Sequence, residues 1–103
     1  MTWRDDPIPT THGEIDRQGR EAKAEIDSIA KKISEGPPID PKHKEELENL
    51  TYFMNMTIRN AKEPGGSLAV LLGNWGILKK SITDRNRLVD EAIEKAKEAS
   101  VEK

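Results

Sequence analysis

Apolar residues recur along the first third of the chain at steps of seven, four, three and four, through Ile15, Ala22, Ile26, Ile29 and Ile33. That spacing is one face of a helix and predicts a helix over residues 14–35. Gly36-Pro37-Pro38 stops it, because glycine is favoured just past a helix end and proline cannot continue one. Asp40 before Pro41 then reads as an N-cap with proline in the first turn, where its missing N–H has no partner to lose. A second helix starts there. Leu47, Leu50, Met54, Ile58 and Ala61 carry its stripe to Lys62, and Pro64-Gly65-Gly66 breaks it.

Ser67 can cap a third helical segment, in which Leu68, Leu71, Trp75, Leu78, Ile82, Val89, Ala92, Ala96 and Ala99 keep one heptad-like phase with Arg85 as the charged intruder. An unbroken helix here would run roughly 50 Å at 1.5 Å per residue, beside partners of roughly 33 Å, and would leave a stripe uncovered. Gly73 and Gly76 lie within one turn of each other and each costs about 1 kcal/mol relative to alanine in a helix, which marks a hinge. The pattern therefore predicts a short helix over 67–73 and a long one from about Ile77 to Ser100. The expected architecture is all-α, an antiparallel three-helix bundle closed at one end by the short helix. A break at Thr83-Asp84 gives a four-helix arrangement as the alternative. No alternating β-branched run and no internal repeat is present.

Residues 1–13 carry Pro7, Pro9 and Gly13 among threonines, a composition that resists helix and predicts an extended or flexible arm on which Trp3 and Ile8 can dock. Residues 14–103 are expected to form one helical-bundle domain. The length of 103 residues leaves room for one small core and no second. No positive region followed by an apolar run opens the chain, so no signal peptide is read, a soluble protein is expected and its location is left unassigned. The longest apolar-rich stretch, Leu68 to Leu78, is far below the roughly 20 residues of a membrane span.

Seventeen Lys+Arg against 19 Asp+Glu give a net charge of −2. Such a balance supplies no polybasic field, so neither nucleic acid nor a membrane is expected as partner. The absence of cysteine excludes thiolate nucleophiles, disulfides and sulfur-ligated metal. Charge is also unevenly placed. Residues 21–33 and 89–99 are built from strong helix formers with charged outer faces, the texture of an engineered scaffold or of a thermostable natural protein. Residues 49–60 and 67–78 are aromatic, irregular and poor in charge, and function is expected to concentrate there.

On the second helix Tyr52, Phe53 and Met56 project away from the core stripe, and Val70, Leu72 and Ile77 do likewise around the glycines. One seam needs fewer apolar residues than this. Either the short helix and the arm cover the excess, or it forms a patch that takes a partner, with Tyr52, Phe53, Met56 and Trp75 as anchors. Trp75 also has a structural reading, a ring received over Gly19 and Ala22 of the first helix, with an indole N–H that needs an acceptor. Arg85 on the seam must be paired or hold an anion, and with Arg17 and Arg20 it could bind a carboxylate or phosphate. Its structural alternative is a snorkelling side chain paired with Asp84, Asp27 or Glu25. His12 and His43 have no converging ligands and read as solvated, so no metal and no cofactor is implied. The Asn49-Leu50-Thr51 and Asn55-Met56-Thr57 triplets lie inside a predicted helix and read as chance.

The leading expectation is a non-catalytic helical module or scaffold that binds another protein, itself a monomer or weakly self-associating. A small-molecule anion site or helical enzyme around Arg85, Arg17 and Arg20 is the second. A scaffold that self-associates through the C-terminal helix is the third.

Overall fold

The computed structural model describes residues 7–63 and 68–101, with side chains at 7–63, 71 and 73–99. Trp3, the expected cap Ser67 and the side chains of Val70 and Leu72 lie outside the described residues. Three helices make up the described chain: α1 (His12–Glu35), α2 (Lys42–Lys62) and α3 (Leu68–Val101). They form an all-α bundle.

α1 begins two residues before the sequence expectation. Thr11 caps it from extended backbone, its hydroxyl accepting the Glu14 N–H at 3.2 Å. Thr-x-x-Glu is the spacing of a capping box, and it overrides Gly13 as a breaker. At the other end the Gly36 N–H donates to the Lys32 carbonyl at 3.0 Å. A β-carbon on Gly36 would stand 2.9 Å from that same oxygen, so close approach to backbone is what requires glycine there. Asp40 and Pro41 start α2 as expected: the Asp40 carboxylate accepts the Lys42 N–H at 3.0 Å, and Pro41 already has helical dihedral angles.

The separate short helix over 67–73 does not exist, and neither does the break at Thr83-Asp84. From Leu68 to Val101 the chain is one continuous helix. Gly73 and Gly76 are exposed, and a β-carbon on either would meet nothing within 4 Å. They mark the solvent side of a continuous helix whose inner side buries Leu71, Trp75, Leu78, Ile82 and Val89. Each such side chain contributes about 1.5–3 kcal/mol on burial, which outweighs about 1 kcal/mol lost at each glycine. The uncovered length that argued for a hinge is instead tolerated as an elongated shape, 58 × 26 × 19 Å.

Neighbours in sequence run antiparallel. Asp16 meets Lys62 and Gly19 meets Ile58 between α1 and α2, while Thr57 meets Asn74 and His43 meets Arg85 between α2 and α3. α1 and α3 run parallel, since Gln18 meets Trp75 and Lys32 meets Asn86 and Asp90. Ile15, Ala22, Ile26 and Ile29 of α1 and Leu47 and Met54 of α2 complete the core. Residues 7–10 dock on it: Pro9 is fully buried and Ile8 packs against the cluster.

Candidate functional site

Part of the irregular middle of the sequence lies on the outer surface where α2 and α3 run side by side, while Met54, Leu71, Trp75 and Leu78 from the same stretches are buried. Glu46, Leu50 and Thr57 mark the side of α2 turned to α3, because Glu46 reaches Arg85, Leu50 shares a groove with Ser81 and Leu88, and Thr57 meets Asn74. Phe53 lies one turn from Leu50 and Thr57 on that side, Met56 lies next to it, and Tyr52 stands further outward. On α3, Ile77 stands one turn from Ser81 and Asn74, on the side turned to α2. Tyr52 is 68% exposed and Ile77 58% exposed. Phe53 and Met56 are half-buried, Phe53 with one side packed on the core. Below them the groove, about 270 Å³, is lined by Glu46, Leu50, Ser81, Asp84, Arg85 and Leu88.

Trp75 does not join this surface. It is fully buried, and its indole N–H donates to the Gln18 side-chain oxygen at 2.9 Å. Gln18 is itself sealed from water and donates through its amide nitrogen to the Pro7 carbonyl at 3.0 Å. The ring is therefore bound into a polar thread that ties α3, α1 and the N-terminal segment together. Gly19 receives Ile58 rather than the indole: a β-carbon there would come within 2.8 Å of the Ile58 Cδ1. An apolar stripe passes over Gln18 because it is polar. It nevertheless falls in the phase of Ile15, Ala22, Ile26 and Ile29, and a polar residue on a buried stripe is itself the signal.

The three arginines do not converge. Arg17 bridges Glu14 and Glu21 along α1, at 2.7 Å to each. The same bond holds the Glu14 carboxyl below its usual pKa. Arg20 is exposed on α1. Arg85 lies ten residues beyond Trp75, hence about 15 Å further along the bundle than the level of Gln18. Its partners are none of the expected Asp84, Asp27 or Glu25. Its guanidinium donates to the His43 Nδ1 at 3.0 Å and stands 3.9 Å from Glu46.

His43 is thus a buried residue, 6% exposed, and not a solvated one. Arginine has no acceptor, so Nδ1 must be the bare nitrogen of a neutral ring with its proton on Nε2. Burial lowers the pKa of His43, and the neighbouring Arg85 charge lowers it further. Four, seven and eleven residues separate it from Leu47, Leu50 and Met54, so it extends the α2 stripe by one turn.

Comparison with family models, with curated proteins and with solved structures returns no match. Among the described residues no group of three or more His, Asp or Glu is placed to hold a metal ion. No described helix is long and apolar enough to cross a membrane. On the C-terminal half of α3, Val89 is buried, Ala92, Ile93 and Ala96 are half-buried and Ala99 is exposed, so the bundle itself uses most of that stripe. The two Asn-x-Thr triplets lie within α2, where Thr51 donates back to the Leu47 carbonyl and Thr57 is buried.

Proposed function

We propose that the chain is a non-catalytic helical scaffold that recognises another protein on the joint outer face of α2 and α3, through Tyr52, Phe53 and Met56 with Ile77. Trp75 passes from anchor to support. One observation supports the reading: Tyr52 and Ile77 are the large apolar side chains left exposed among the described residues, Tyr52 on the outward face of α2 and Ile77 on the side of α3 turned to α2. Idealised α1 and the charged end of α3 then act as the frame, whether evolution or engineering wrote them.

The occupant is a weakly charged amphipathic helix of a partner protein. Between Glu46 and the helix end at Lys62, the α2 side turned to α3 carries Asn49, Leu50, Phe53, Met56, Thr57 and Asn60 and no charged residue. A strongly charged segment laid there would lose its water without gaining a counter-charge. Two adjacent helices also present the groove into which a third lays its apolar side.

Selection of helical peptides from a displayed library against the whole chain tests this. Peptides should be recovered whose binding falls at least tenfold in Tyr52→Ala/Ile77→Ala while helicity by circular dichroism is unchanged. Peptides that bind the double variant equally well place recognition elsewhere. Loss of helicity along with binding makes the two side chains structural. Sedimentation at two concentrations distinguishes a second copy as the occupant.

Arg85 lines a groove that Glu46 and Asp84 line as well. This charge environment disfavours the anion-binding reading. A carboxylate or phosphate that raised the melting temperature in the parent chain and not in Arg85→Ala would restore it.

A further inference from the structure

We propose that the contact between His43 and Arg85 is a proton-operated latch joining the start of α2 to the middle of α3, closed while the imidazole is neutral and opened when it takes a proton. The geometry is one-sided. A guanidinium stands 3.0 Å from the Nδ1 that would receive the proton, so protonation removes the acceptor and sets two cations in contact. The site is mostly shut off from water, with His43 6% exposed and the Arg85 side chain 17% exposed, so solvent screens that repulsion little. His43 also sits in the first turn of α2, at the positive end of the helix dipole.

Charges face the ring from each element packed against it. α3 offers Arg85, with Asp84 beside it in the groove. α2 offers Glu46, half-exposed and 3.9 Å from the guanidinium, and Lys42, which opposes protonation. The segment before α2 offers Asp40, which favours it, though that carboxylate is engaged in capping the helix. Lys32 of α1 is held by Asn86 and Asp90. Burial and Arg85 prevail, in the direction of the lowered pKa.

Opening would free the first turns of α2 and widen the groove lined by Leu50, Ser81 and Leu88. The upper half of α2 would stay docked through Met54, Thr57 and Ile58. The latch does not depend on the recognition face being correct.

The test uses the whole chain in nuclear magnetic resonance. The His43 ring should titrate below the ordinary value of about 6.5. Exchange protection of amides 44–50 should fall by up to about tenfold per pH unit below that value, while amides 54–61 fall less. Arg85→Met should move the ring's titration upward. His43→Gln, whose amide oxygen can accept from Arg85 without titrating, should hold protection of 44–50 level from pH 7 to pH 5. Titration at or above the ordinary value would overturn the latch. So would a uniform loss along α2, or an unchanged loosening in His43→Gln. If that variant does not fold, the ring titration in the parent and in Arg85→Met decides alone.

Discussion

The thread from Trp75 through Gln18 to the Pro7 carbonyl shows how much one polar residue decides in a core this small. Gln18 is buried with both ends of its amide satisfied, and removing it takes from the indole N–H the acceptor it has at 2.9 Å. An unsatisfied buried donor costs about 1–3 kcal/mol, whereas exchanging both partners for apolar groups of similar shape costs much less. Gln18→Met should therefore lower the urea midpoint by that amount of stability with little change in slope. Adding Trp75→Phe should then cost less than the sum of the two single changes, because the donor disappears with its acceptor. Strict additivity would show that the bond contributes nothing. The same residues show why the aromatic anchors are only partly legible in the sequence. Periodicity assigns Trp75 a seam position, and composition assigns it a place among exposed aromatics. The seam prevails because an indole can be buried wherever its N–H is met, and no spacing along the chain names Gln18 as the group that meets it.

At the scale of elements, the end of α1 and the start of α2 are legible because they are written locally: Gly36 against the Lys32 carbonyl, Asp40 on the Lys42 N–H. The continuity of α3 is not. Gly73 and Gly76 weaken any isolated helix, and only the face they occupy decides whether the weakness becomes a bend. Here both face solvent while Leu71, Trp75 and Leu78 hold the other side. Length misleads in the same direction, since the expected mismatch of rods assumes that α3 must be fully covered. The three glycine environments separate by substitution. Gly73→Ala and Gly76→Ala should each raise stability by about 0.5–1 kcal/mol, since the new methyl meets nothing and the unfolded chain loses freedom. Gly36→Ala should lower it, because its β-carbon meets a backbone oxygen at 2.9 Å that cannot turn aside. Thermal melts of the three variants check the signs. A destabilising Gly73→Ala would mean that α3 does bend there in solution.

For the whole molecule, the ties between helices are few enough that pH should dissolve them in order. Lys62 holds the Asp16 carboxyl below its usual pKa, joining the end of α2 to the start of α1, while Arg17 does the same for Glu14 within α1. At the other end of α2, burial and Arg85 hold the His43 ring neutral. The sign of each effect depends on which state binds more protons. A histidine whose pKa is lower folded than unfolded leaves stability intact above about pH 6.5, and withdraws it as pH falls below that value, because the unfolded chain takes up the proton first. A carboxylate with a lowered pKa gives stability that is complete above about pH 4.5 and is lost as pH falls through the folded value. Urea midpoints measured at pH 7.5, 5.5 and 3.5 should therefore decline in two stages. The first should have the slope of a single proton and be absent in His43→Gln. The second should be shallow, because both carboxylates are largely exposed and water screens their pairs, and it should weaken further in high salt. A midpoint that stays level from pH 7.5 to 5.5 would mean that the proton on His43 does not govern how α2 meets α3.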